Sequence, residues 1–577
     1  MMAERRLFGL ILAVSTTACS APQLQPAASL SPETIERIED LFQRFDNPRV
    51  PGCNVGVARD GRLIYARSFG AADLDQGVLN EAATRFPIGS MSKQFTAMVV
   101  ALLAEDGKLS LDDDVRRWVP ELPVYARPIT IRDLLLHTSG LRDYQALRFL
   151  SGTPPDYLEL DWVLELLARQ RGTHFPAGEH FEYSNSNYVL ARMVAERASG
   201  RTLRQLARER IFGPLGMRST TWDETGRRVV PHRAAPYTGD LATGWQRSLG
   251  ATLAGSSGLW TTVEDLVRWD ENFYHNRLGR ADPRLVRRAV TPSPASARDG
   301  ATAPEEMRDG YGFGVFLGKH HGRPLQWHAG RGPGHVGDMA RYPEQHVSVF
   351  CLCNSTVDTR ALARSIADLV LGAPPAPEGA AKPSQQAFVE LPPETVAATA
   401  GSYLNPVTGT IWALRPEPAS PAKIALHVAG IRYLLSATGP GEFFITDPPL
   451  GWRITINRDP AGKATRLHLF EEGVETAHYD RLGEPPPAAE LAEYAGTYDC
   501  DELDNPYTLR PVDGALHLDT KIQPKGTFSF AGRDRFVLPT EWFTLTFSFS
   551  RDARGRVDGF RLDSGAADGF RFTRRSP

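Results

Sequence analysis

Four short segments in the last third of the chain occur twice in the same order, and this limits the accessible folds more than any other feature. "AGSY" at Ala400–Tyr403 recurs as "AGTY" at Ala495–Tyr498, and "LRP" at Leu414 recurs at Leu509 with the same offset. "LH" at Leu426 recurs at Leu516, and Arg458-Asp459-x-x-Gly462 recurs as Arg551-Asp552-x-x-Gly555, with the offset shifted only slightly. Four matches in order mark a duplication. Each copy, 391–483 and 484–577, is built from alternating runs such as "WRITINRD" and "FTLTFSFSRD" broken by turns, which predicts two small antiparallel β-barrels or sandwiches. Residues 372–390 ahead of them open with "GAPPAPEGAAKPSQQ", which has no apolar period and reads as a linker. A chain of 577 residues is too long for one core, so residues 30–371 form a domain of their own.

That first domain changes character along its length. "SPETIERIEDLF" opens as a helix capped by Ser31, and two apolar runs joined by Asp60-Gly61 read as a hairpin. Helical patterns then dominate through "QFTAMVVALLAEDG" and "DWVLELLARQ", strand character returns at "YGFGVFLG", "PLQWHAG" and "HVSVFCLCN", and "ALARSIADLVLG" closes as a helix. The pattern predicts an α+β domain, one antiparallel sheet covered by helices.

At the N-terminus Arg5 and Arg6 precede the apolar run Leu7–Val14 and the small residues up to Cys19, the pattern of a signal peptide over residues 1–19. The run is too short to span a bilayer. Cys19 stands where a bacterial lipoprotein carries its lipid, although Thr16 replaces the usual Leu of that motif, and simple cleavage after Ala18 is the other outcome. The expectation is an exported protein, periplasmic or attached to the cell envelope. Four further cysteines, Cys53, Cys351, Cys353 and Cys500, are too few for a disulfide scaffold. Cys351 and Cys353 point to one face of a strand, cannot bridge each other well, and read as buried apolar groups. A net charge of -3 with no basic stripe excludes a nucleic-acid binder.

Three motifs carry chemistry: Ser90-Met-Ser-Lys93, Tyr183-Ser-Asn185 and His328-Ala-Gly330. Each has decoys in this chain, at Ser420-Pro-Ala-Lys423, Tyr403-Leu-Asn405, His320-His-Gly322 and His335-Val-Gly337. Order and setting separate them, because Ser90 begins a helix after a turn and His328 ends an apolar run before glycines. On a helix Ser90 and Lys93 share a face, so the amine reaches the hydroxyl, and the helix N-terminus favours negative charge near Ser90. A serine needs a base to become a nucleophile. Lys93 close to Tyr183 would lower the phenol's pKa and make Tyr183 the base, or Lys93 itself takes the proton. The histidines show no zinc spacing, and Gly332-x-Gly334-x-x-Gly337 leads into a strand, so no metal and no cofactor is expected. His137 reads as a loop-fixing residue. The acidic group Asp499, Asp501, Glu502 and Asp504 reads as a solvated turn, with a substrate-ammonium role as the minor alternative.

"RFPIGSMSKQFTA", "LLLHTSGL", "YSNSNY", "SSGLWTT", "YGFG" and "HAGRGPGHVG" together resemble the penicillin-recognising serine hydrolases related to class C β-lactamases, D-alanyl-D-alanine carboxypeptidases and D-aminopeptidases. His-x-Gly as third motif and two small β-barrels after the catalytic domain resemble the D-aminopeptidases in particular, where loops of the barrels reach toward the active site. The resemblance implies Ser90 as nucleophile forming an acyl-enzyme, Lys93 and Tyr183 as its proton-handling partners, and Asn185 holding Lys93 and the substrate amide. It implies oxyanion donors at the N–H of Ser90 and Arg331, and His328 and Gly330 lining the substrate pocket. The substrate implied is a small peptide, amide or ester, cleaved by a D-stereospecific peptidase or amidase. An esterase or β-lactamase on the same fold is the alternative, and a non-catalytic penicillin- or wall-binding lipoprotein is the alternative from another class.

Overall fold

The computed structural model describes residues 29–576 other than 155–158, 225–227, 242–243, 249–252, 298–303, 373–386, 407–408, 418–419, 429–430, 448, 472–473, 484–485, 522–527 and 541–543. The signal-peptide and Cys19 readings, and most of the linker, lie outside the described residues. No described helix is long and apolar enough to cross a membrane.

The first domain is built on seven strands: β1 (Cys53–Arg59), β2 (Arg62–Phe69), β3 (Gly310–Tyr311), β4 (Phe316–His320), β5 (Arg323–Gly332), β6 (His335–Tyr342) and β7 (Val347–Cys353). They form one antiparallel sheet in the order β3-β4-β5-β6-β7-β1-β2. Asp60 and Gly61, both at positive φ, turn β1 into β2. Helices cover both faces. On β7 the residues Val347, Val349, Cys351 and Cys353 pack toward α1 (Pro32–Leu41) and the last helix of the domain, whereas Phe350 and Leu352 pack into the helical lobe. Burial on two faces explains why this strand is a continuous apolar run. The lobe is threaded by α2 (Lys93–Glu105), α3 (Tyr144–Leu150) and α4 (Asn185–Ser199); α5 (Thr359–Leu371) is the last helix.

Cys353 departs from the sequence reading. It is bonded to Cys53, directly opposite on β1, and among the described residues Cys351 and Cys500 remain as buried free thiols. Near neighbours on one strand do not bridge. The partner of Cys353 comes instead from the other end of the domain, brought opposite when β1 inserts beside β7.

After the linker, eight strands from Gly401–Leu404 to Val474–Arg481 close into a barrel, and eight more from Gly496–Asp499 to Phe570–Arg574 form an open, half-barrel sheet. The duplication is visible atom by atom. Tyr403 donates to the Thr399 carbonyl as Tyr498 does to that of Tyr494, and Arg481 and Arg574 each lie over the corresponding tyrosine ring. The two Arg-Asp-x-x-Gly turns also match, with Arg458 reaching the Gly462 carbonyl and Arg551 that of Gly555, each at 2.8 Å.

Candidate active site

Phe86 and Pro87 pair with Thr261 and Trp260, and the chain then enters a 3₁₀ turn over Gly89–Ser92 before α2 begins at Lys93. Ser90 therefore lies one turn ahead of the α-helix instead of on it. In a 3₁₀ turn, positions three apart eclipse, which sets Lys93 directly behind Ser90. Lys93 Nζ donates to Ser90 Oγ at 2.9 Å, to Asn185 Oδ1 at 2.7 Å and to the Ser256 carbonyl at 2.9 Å. The side chain is fully buried. Burial pulls its pKa down to about 7, with the charge of Asp143 opposing the fall. Burial thus favours the unprotonated amine.

Tyr183 hydrogen-bonds Ser90, but its phenol pKa is raised, not lowered. Burial is the main cause and Asp143 adds to it. Lys93 Nζ sits over the ring face, 4.8 Å from its centroid. The expectation that Lys93 would drive Tyr183 toward a phenolate is thus corrected: desolvation of both groups wins, leaving a neutral phenol beside an easily neutralised amine. His137, at φ 56°, holds the Tyr183 segment through Nδ1, which accepts from Ser184 N at 3.2 Å and Asn187 Nδ2 at 3.0 Å. Its ring stacks obliquely on Tyr183 at 4.3 Å, which fits a loop-fixing role.

Asp143 is a residue that the motif reading missed. Its Oδ2 accepts from Asn185 N at 2.5 Å and Asn185 Nδ2 at 2.8 Å, and its Oδ1 caps α3 by accepting from Gln145 N at 2.7 Å. The two amide bonds turn Asn185 so that Oδ1 faces Lys93. Its only sequence signal is an Asp just ahead of a helix, which reads as an ordinary cap.

His328 on β5 is buried and held neutral, its pKa pushed down to about 3 by burial and by Lys93. Nδ1 lies 2.5 Å from the Ala329 carbonyl and so carries the proton, which leaves Nε2 to accept from the Tyr311 hydroxyl at 3.0 Å. The backbone of Gly330 and Arg331 packs directly on the turn before Ser90. A Cβ on Gly89, at φ 49°, would stand 2.6 Å from Arg331 N, and one on Gly330 would stand 1.9 Å from the Ile88 carbonyl oxygen. Glycine at both positions is what allows the backbone at Gly330 and Arg331 to pack this closely on the turn that carries Ser90.

The half-barrel reaches this site. Asp143 N donates to the Ala566 carbonyl at 2.8 Å, Asp568 N donates to His174 Nε2 at 2.8 Å, and Asn505 Nδ2 donates to the Leu150 carbonyl at 2.8 Å. Glu502 is not part of a solvated turn: it is nearly buried against Arg142 at 2.7 Å. Arg142 also lies over the Phe570 ring at 4.3 Å. Asp501 pairs with the exposed Arg171 and Asp499 with Arg575.

Residues 38–372 match the Beta-lactamase family. The chain belongs to that family. It is a serine hydrolase of the penicillin-recognising group. Similar to it over nearly the whole length are D-aminopeptidases of Brucella melitensis, 27% identical over 92% of this chain and 96% of the relative, and of Cereibacter sphaeroides, 29% identical over 91% and 94%. The octameric penicillin-binding protein homologue of Pyrococcus abyssi shares the fold, with a TM-score of 0.52, 21% identity, and coverage of 78% of this chain and 99% of that one. The penicillin-binding protein of Bacillus halodurans does so with a TM-score of 0.50 and 24% identity over 57% and 98%.

Proposed function

We propose that the protein is a D-stereospecific aminopeptidase or amidase that works through an acyl-enzyme at Ser90. The observation that carries this is the buried Lys93 amine, 2.9 Å from Ser90 Oγ and with its pKa at about 7. Lys93 in its neutral form takes the Ser90 proton as Oγ attacks the substrate carbonyl. Negative charge then grows on the carbonyl oxygen, where the N–H groups of Ser90 and Arg331 stabilise it. Tyr183, kept protonated by burial, donates its proton to the departing nitrogen, and the phenolate left behind recovers a proton from the Lys93 ammonium once the amine has left. Water then attacks the ester, with Lys93 again as base. Asn185 holds Lys93 in place, and Gly330 forms the pocket wall with His328, a neutral imidazole held by the Ala329 carbonyl and the Tyr311 hydroxyl, instead of a cation.

Stereospecificity for D-residues rests on the relatives named D-aminopeptidase, which this chain matches over more than nine-tenths of its length, 92% and 91%. The proposal includes export, to the periplasm or in association with the cell envelope, supported by the residues before Ser20. It is tested by turnover of D- and L-amino-acid p-nitroanilides beside simple esters and a chromogenic cephalosporin. Preference for the D-anilides supports the reading. Faster turnover of esters or of the cephalosporin replaces it with the esterase or β-lactamase reading, and acylation without turnover replaces it with a binding role.

A further inference from the structure

We propose that His320, His321 and Asp368 form a binding site for one divalent transition-metal ion of the zinc class, separate from the hydrolytic site. His320 ends β4, and His321 takes the left-handed position of the following turn at φ 51°, which swings its ring alongside that of His320, with centroids 4.2 Å apart. Asp368 comes from α5. Its Oδ1 stands 3.7 Å from His320 Nε2 and 3.4 Å from His321 Nε2, and all three donor atoms lie within 4.8 Å of one another. These separations are longer than good hydrogen bonds. The two distances from Asp368 Oδ1 lie near the ligand-to-ligand edge of about 3.3 Å that a tetrahedron with zinc bonds of about 2.0 Å requires, and the two imidazole nitrogens, within 4.8 Å of each other, would close toward it on binding. Two imidazoles and one carboxylate are the donor set of zinc, cobalt and nickel sites, with one position left open.

The surroundings support a ligand. His320 Nδ1 is 2.7 Å from the hydroxyl of the buried Tyr342, so with Nε2 on a metal the Nδ1–H donates to that oxygen, fixing tautomer and ring plane. His321 and Asp368 side chains are 20% and 28% exposed, which leaves an entry path. The neighbouring Arg364 is already matched by Glu306 at 2.7 Å and Asp338 at 3.0 Å. His320 lies at the opposite end of β4 from Phe316, which packs against His328, so the ion would not touch substrate. It would instead clamp the β4–β5 hairpin to α5, the helix that leads to the linker.

The test uses tag-free full-length protein stripped with chelator, titrated with zinc by calorimetry and with cobalt by visible absorption. One equivalent is expected, with a rise in melting temperature on adding zinc. His321→Ala and Asp368→Asn, both at partly exposed positions, are expected to lose at least about a hundredfold in affinity, and Tyr342→Phe about tenfold, as for other supporting partners of a ligating histidine. Hydrolysis by His321→Ala should match the parent. Absence of binding to the parent, or equal binding by the parent and the His321→Ala/Asp368→Asn double variant, overturns the proposal.

Discussion

The substitution Asp143→Asn should move the pH profile of hydrolysis toward acid, and the size of the shift follows from the geometry. If Lys93 is the base, kcat/KM rises with pH as the amine loses its proton, with a midpoint at about 7, so activity at pH 6 is about tenfold below the plateau. Asp143 opposes that lowering. Its carboxylate is joined to Lys93 across one amide, by bonds of 2.8 and 2.7 Å. The two charges are therefore on the order of 7 Å apart, where an effective dielectric of about 20 to 80 gives about 0.6–2.4 kcal/mol. That equals about 0.4–1.7 pH units. The side-chain carbonyl that replaces the carboxylate still accepts from Asn185, so the amide keeps its orientation while the charge is gone. The assay is kcat/KM on the best p-nitroanilide between pH 5 and 9. A midpoint about one unit below that of the parent is expected. A midpoint that stays put or rises refutes the electrostatic chain from Asp143 through Asn185 to Lys93.

Tyr183→Phe should lower the plateau by about 10²–10⁴, the usual worth of a proton donor, yet leave the midpoint at about 7; a lost or displaced midpoint would make Tyr183 the base. Gly330→Ala should cost on the order of 10²-fold in kcat, because the Ile88 carbonyl must move away from the new Cβ and carries the Ser90 turn with it. Asp270→Ala strips Arg341, itself 2% exposed, of a 2.6 Å partner and Ser348 of another, and should destabilise the catalytic domain by about 3–5 kcal/mol in denaturant melts. The Cys53→Ala/Cys353→Ala pair removes a cross-link closing most of the first domain and should cost about 2–4 kcal/mol in the same melts.

What the chain discloses before folding is local. The duplication, the hairpin at Asp60-Gly61 and the apolar run "VSVFCLC" are all written within a few residues, and each reappears as a barrel repeat, a turn and a strand buried on both faces. The spacing of Ser90 and Lys93 is legible for the same reason, although the turn is 3₁₀ and not α. What stays hidden depends on contacts between distant segments. Cys53 meets Cys353 only when the first strand pairs with the last, and Glu502 meets Arg142 only when the half-barrel docks on the helical lobe. Asp143 looks like a helix cap until Asn185 arrives, and the pair His320-His321 lacks its carboxylate until α5 packs beside it. The Tyr183 shift runs opposite to the motif-based expectation because burial, which outweighs the nearby amine, has no signature in a three-residue motif.

The central claim is that Ser90 carries the acyl group and Lys93 activates it. The direct measurement is peptide mass mapping after rapid acid quench of the protein with a slowly released acylating substrate, such as a penicillin or a D-amino-acid ester. The account predicts one adduct, on the peptide containing Ser90, absent in Ser90→Ala and formed at least about a hundredfold more slowly in Lys93→Ala at pH 8, as expected on loss of a general base. An adduct on another residue, or one that persists in Ser90→Ala, would contradict it.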